Sequence, residues 1–143
     1  MYPYERLAAW QAARQLALAT YRATSGFPTH ESYGLTSQSR RAAVSVIANI
    51  AEGSAKRGEG ELRRFLDIAL GSMAELNCLL RLAGDLGYLS PADATALDGL
   101  RRRSGYLLWR LYSSIGRTRR DSPADRFLPP VPTPTDPNRL LPT

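Results

Sequence analysis

Through residues 1–120 apolar positions recur every three or four residues, and no stretch alternates with a period of two. Such spacing lines side chains along one face of a helix and argues against half-buried strands. β-Branched residues are sparse as well, which leaves an all-α reading. Four helices are predicted. The first runs from Tyr4 to Thr24, with Leu7, Trp10, Ala17, Leu18 and Tyr21 as its inward stripe, and Gly26 and Pro28 end it. The second runs from Leu35 or Thr36 to Glu52, with Gly53 as a left-handed stop. A loop rich in glycine and charge, residues 54–60, leads to the third, Glu61 to Leu86, which Gly87 closes. The fourth opens on Ser90 as a cap, with Pro91 in the first turn and Asp93 at the third helical position, and continues to Ile115. Helices of about 18 to 26 residues joined by short connections predict an antiparallel up-and-down four-helix bundle.

Proline sets the boundary of that bundle. Seven of the ten prolines lie beyond residue 120, where they rule out a continuous helix. The expectation is a bundle over 1–120 and a Pro-rich, extended or disordered tail over 121–143.

Two helices carry more apolar surface than one core-facing stripe needs. In the second, Leu35, Ala42, Val46 and Ile50 share one side, while Val44, Ile47 and Ala51 lie nearly opposite. In the third, Ile68, Leu79 and Leu82 widen the core arc to one edge. A wide arc suits either a deeply buried central helix or a subunit contact. The excess on two helices predicts a homo-oligomer with an interface built from these six residues. A polar row, Gln38, Arg41, Ser45, Asn49 and Glu52, runs between the two faces of the second helix. It reads as a hydrogen-bonded seam that fixes helix register, with a recognition strip as the alternative.

Composition adds a partner and removes several chemistries. The chain has 143 residues, 43% hydrophobic and 22% charged, which is one ordinary globular domain. Its net charge is +6, and Lys56 is its one lysine among 19 basic residues. Arginine's planar fork donates two parallel hydrogen bonds to phosphate. Arg101, Arg102 and Arg103 are consecutive; Arg103, Arg110 and Arg117 recur every seven residues, with Tyr106 between them. Lys56, Arg57, Arg63 and Arg64 cluster where the third helix begins, beside backbone N–H groups that favour anions. Lys56, Arg57, Arg63, Arg64, Arg102, Arg103, Arg110 and Arg117 are therefore candidates for sequence-independent binding of RNA or DNA. The alternative is a protein-interaction scaffold whose arginines only solubilise it, partly neutralised by Glu59, Glu61, Asp67, Asp93 and Asp98.

Cys78 is the single cysteine and His30 the single histidine, so neither a disulfide nor a Cys/His metal set is available. The glycine pair Gly53 and Gly58 has phosphate-loop spacing, but Glu59 stands where the loop needs lysine. No catalytic residues, metal or cofactor are predicted. No apolar run reaches the ~18 residues of a membrane span. The first residues lack a signal peptide's charged start and apolar block, and with the lone thiol this predicts a cytoplasmic protein.

One set of residues is familiar: Phe27-Pro28, Glu31, Tyr33-Gly34-Leu35 and Gln38; Arg41-Ala42-Ala43, Ser45-Val46 and Asn49-Ile50-Ala51-Glu52-Gly53; Phe65-Leu66, Ile68-Ala69, Gly71-Ser72 and Glu75-Leu76; Leu86-Gly87-Tyr88-Leu89. Over residues 5–117 this resembles the S23-like proteins encoded in intervening sequences of bacterial large-subunit ribosomal RNA genes. The accessory variability determinant of diversity-generating retroelements belongs to the same group. The resemblance implies a cytoplasmic bundle assembled as a ring-like homopentamer. For the retroelement members it further implies a basic surface that binds nucleic acid and a reverse transcriptase partner. Those roles would fall on the arginines named above, while Asn49, Glu52 and Gly53 would hold the bundle. The Pro-rich tail and the glycines of the fourth helix, Gly99 and Gly105, depart from the family pattern.

Overall fold

The alanine and leucine positions of the four predicted segments become the inward faces of four helices. The computed structural model describes residues 1–115. They form α1 (Ala8–Thr24), α2 (Leu35–Ala55), α3 (Glu59–Asp85) and α4 (Pro91–Ser114), with 3-10 turns at Pro3–Arg6 and Thr29–Glu31. No strand occurs among the described residues. Helix α1 packs on α2 and α4, α2 on α3, and α3 on α4, which is the expected up-and-down bundle. Its core holds Leu16, Val46, Ile50, Leu66, Leu76 and Leu108, each buried almost completely. The proposed tail, 121–143, and the end of the bundle at residue 120 lie outside the described residues.

Two starts and stops behave as their sequence requires. Ser90 Oγ accepts the Asp93 backbone N–H at 3.1 Å, with Pro91 next to the cap. Gly87 takes a positive φ of 79° after α3, and the Tyr88 N–H donates to the Ala83 carbonyl at 3.0 Å. That bond, with Gly87 N–H to Gly84 O, recovers carbonyls the helix end leaves free.

Three expectations need correction. Helix α1 begins at Ala8, not Tyr4, because Leu7 is extended (φ −77°, ψ 123°) and separates it from the Pro3–Arg6 turn. Its inward stripe is also different: Ala9, Ala12, Ala13, Leu16, Ala17, Thr20 and Ala23 are buried, while Leu18 and Tyr21 are exposed. Small residues let α1 sit close to its neighbours, and the buried Thr20 hydroxyl is satisfied by the Leu16 carbonyl at 2.8 Å. Leu18 and Tyr21 therefore fall on the outside, while Leu16 is fully buried.

Gly53 is the third correction. Helix α2 runs through it to Ala55, and Gly53 is buried. A Cβ there would lie 2.9 Å from Phe65 Cβ and 3.1 Å from Leu62 Cδ1. The glycine permits close approach of α2 and α3, rather than terminating a helix. The left-handed conformation belongs to Gly58, with φ 91°, immediately before α3.

Candidate nucleic-acid interface

Helix α4 turns Leu97, Ser104 and Leu108 into the core, and Leu100 and Leu111 pack beside them. At about 100° per residue, Arg103 and Arg110 then share one outer stripe, about 20° apart, with Tyr106 beside it. Both arginines and the tyrosine are exposed. Arg110 Nη1 donates to Tyr106 Oη at 3.4 Å, and its guanidinium lies 5.7 Å from the ring centre. Neither Arg103 nor Arg110 has a carboxylate partner among the described residues. Arg102 stands about 100° from Arg103 on the helix. It is paired with Asp98 at 3.0 Å, and Arg101 meets the same carboxylate at 2.7 Å. Asp98 is the last acid of α4. From residue 99 to residue 120 the sequence has seven arginines and no Asp or Glu. Arg117 lies outside the described residues.

The second basic cluster divides into free and committed side chains. Lys56 and Arg57 are exposed in the turn between α2 and α3, with the Lys56 ammonium 5.5 Å from the Phe65 ring. Arg64 packs at 4.6 Å over the same ring and pairs with Glu61 at 3.2 Å. Arg63 is half-buried and turned to α4. It donates to Ile115 O at 3.1 Å, Tyr112 O at 3.4 Å and Tyr112 Oη at 2.9 Å, and lies 4.0 Å over the Tyr112 ring. A cation beside the last carbonyls of a helix also meets the negative end of its dipole. Arg63 thus ties the start of α3 to the end of α4 and brings the loop cluster to the bundle end that Arg110 approaches. Sequence reading missed this bond. Its signal was an arginine in the opening turn of α3, which an up-and-down path sets against the last turn of α4.

The six apolar candidates separate onto two surfaces. Val44 and Ile47 line a groove between α1 and α2 with Trp10, Ala17, Leu18 and Tyr21; Arg14 is the one charged residue lining it. Ala51, half-buried, continues their line along α2. Ile68 and Leu82 are exposed on α3, as is Leu86 beyond its end, while Leu79 is half-buried and packs against the core. Trp10, Leu18 and Tyr21, whose size points them inward in the sequence, line this outer groove instead.

In the polar row, Ser45 Oγ meets Ser72 Oγ across the α2–α3 boundary at 2.8 Å, and Arg41 reaches Glu75 at 3.5 Å. Asn49 Nδ2 donates back to Ser45 O at 2.8 Å and to Ser45 Oγ at 3.1 Å. Gln38 and Glu52 are exposed and make no side-chain hydrogen bond among the described residues. Within those residues no group of three His, Cys, Asp or Glu side chains could hold a metal ion, and no helix is long and apolar enough to cross a membrane.

A family model described as 23S rRNA-intervening sequence protein matches residues 5–108, from the N-terminal 3-10 turn to the last buried leucine of α4. No curated protein matches the chain.

Proposed function

The chain belongs to the 23S rRNA-intervening sequence protein family, and on that premise we propose that it is a non-enzymatic, cytoplasmic homo-oligomer that binds nucleic acid through the arginine face of α4. The observation that carries this reading is the run from residue 99 to 120, with seven arginines and no carboxylate. Segregation of that kind leaves a positive field that neighbouring acids do not cancel. Arg103 and Arg110 are the main phosphate contacts, with Lys56 and Arg57 at the end of the bundle and Arg117 following in sequence. Arg64 and Arg102 contribute less, each sharing its charge with an acid. Arg63 is already engaged by α4. Contacts of this type read the backbone of RNA or DNA and no base sequence.

Self-association rests on the two apolar surfaces. They lie on different sides of the bundle, so a head-to-tail contact can pair the α1–α2 groove of one copy with the α3 edge of the next. Heterologous contacts close into rings when the rotation permits. The number five rests on the family resemblance, and a reverse transcriptase as partner on the likeness to its retroelement members.

The test is binding of a labelled nucleic acid by the full chain as salt is raised. About four phosphate contacts predict a roughly 100-fold loss of affinity between about 50 and 200 mM salt. Absence of binding at low salt, with a protein partner retained after nuclease treatment, would replace this reading with the scaffold.

A further inference from the structure

We propose that the nucleic acid taken by α4 is an unpaired strand, its bases stacked on Tyr106 and Trp109, rather than a duplex. The proposal rests on the phosphate-binding reading above and adds the class of strand.

Arginines alone would serve either form, because both present phosphates. The aromatic residues set among them discriminate. Tyr106 is 40% exposed on the outer face of α4, one turn after Arg103 and one turn before Arg110. The rise of 1.5 Å per residue puts those arginines about 10 Å apart along the axis, roughly the length of three stacked nucleotides. A strand held by phosphates at both ends therefore passes the tyrosine with its bases free to meet the ring. Tyr106 pairs with no other aromatic ring among the described residues; its neighbour is the Arg110 guanidinium, itself a flat cation on which a base can stack.

Trp109 supplies a second ring, about 60° round the helix from Tyr106. It is half-buried and held 5.6 Å from Tyr112 at 34°, and Tyr112 in turn lies under Arg63 at 4.0 Å. Arg63, Tyr112 and Trp109 form a chain of contacts, with the cation over the Tyr112 ring and Trp109 tilted against it, fixed at its base by the carbonyls that end α4. Trp109 is its last link, so little side-chain freedom remains to be lost when a base adds to it. Bases inside a duplex are already stacked on one another and offer no face to these rings.

The experiment measures binding of the full chain at low salt to labelled 12-nucleotide single strands of RNA and of DNA, and to the matching duplexes. Both single strands are expected to bind at least 10-fold more tightly than the duplexes. Tyr106→Ala should weaken strand binding by roughly 5- to 100-fold and duplex binding by less than about 2-fold, while Tyr106→Phe keeps the wild-type preference. Strand binding should quench tryptophan emission, and Trp109→Phe should remove most of that quench while circular dichroism shows an intact helical fold. Equal affinity for strand and duplex, or equal weakening of both by Tyr106→Ala, would overturn the stacking proposal and leave the phosphate reading standing. Failure of every form to bind at low salt would overturn both.

Discussion

The groove between α1 and α2 and the outer face of α4 are both solvent-facing surfaces of one small bundle, and their chemistry is opposite. The groove presents Trp10, Leu18, Tyr21, Val44 and Ile47 around a single charge, Arg14. The α4 face presents Arg103, Tyr106 and Arg110, with no acid after Asp98. Trp10 and Ile47 pack one side against the core, while Leu18, Tyr21 and Val44 in the groove and Arg103, Tyr106 and Arg110 on α4 remain exposed. A monomer gains nothing from leaving apolar area in water, and it gains little from concentrating like charges. The proposed function takes up that difference, with another copy of the chain at the groove and phosphate at α4. Ring and cation also meet differently at the two places. On α1, Tyr21 holds the Arg40 guanidinium at 4.7 Å while Arg40 bonds Thr24 and Ser25, so that cation is spent on joining α1 to α2. On α4, Arg110 makes only its long contact to Tyr106 among the described residues.

The comparison breaks most visibly at the groove. Val44→Glu should reduce the assembly to smaller particles in sedimentation, with helix content unchanged by circular dichroism, because Val44 is exposed at the groove, whereas Ile47 also packs against the core. Wild-type chain that already sediments as a monomer at tens of micromolar would remove this half of the comparison. Next in size, Arg103→Gln with Arg110→Gln should lower nucleic-acid affinity by about 10-fold or more at low salt and leave the particle size as it was. Arg63→Ala sharpens the contrast between arginines that bind and arginines that build. It should cost about 1.5–3 kcal/mol of stability in thermal or urea unfolding, since charged hydrogen bonds to the end of α4 are lost. Gly53→Ala is the smallest and touches neither surface. The crowding against Phe65 and Leu62 should cost about 1–3 kcal/mol, with both partner readouts retained.

Much of this fold could be read from local signals. Ser90, Pro91 and Asp93 mark the start of α4 through a bond made within four residues, and Gly87 marks the end of α3 in the same way. What escaped the sequence was set by neighbours. Gly53 looks like a helix stop until α3 is known to lie against it, and the true left-handed glycine, Gly58, is only five positions on. Size and spacing point Trp10, Leu18 and Tyr21 inward along with Ala17, whereas close helix packing selects Ala9, Ala13 and Leu16 beside Ala17. The basic residues were visible as types and spacings. Their division into engaged and free, Arg63 against Arg103, depended on which carbonyls and carboxylates the bundle brings within reach.

The most direct test of the account is the slope of log affinity against log salt for a labelled nucleic acid, measured on wild type and on Arg103→Gln/Arg110→Gln. The account predicts a steep wild-type slope that becomes shallower by about 1.4 to 1.8 in the variant, as two phosphate contacts disappear. Identical slopes, or a wild-type affinity indifferent to salt, would contradict it.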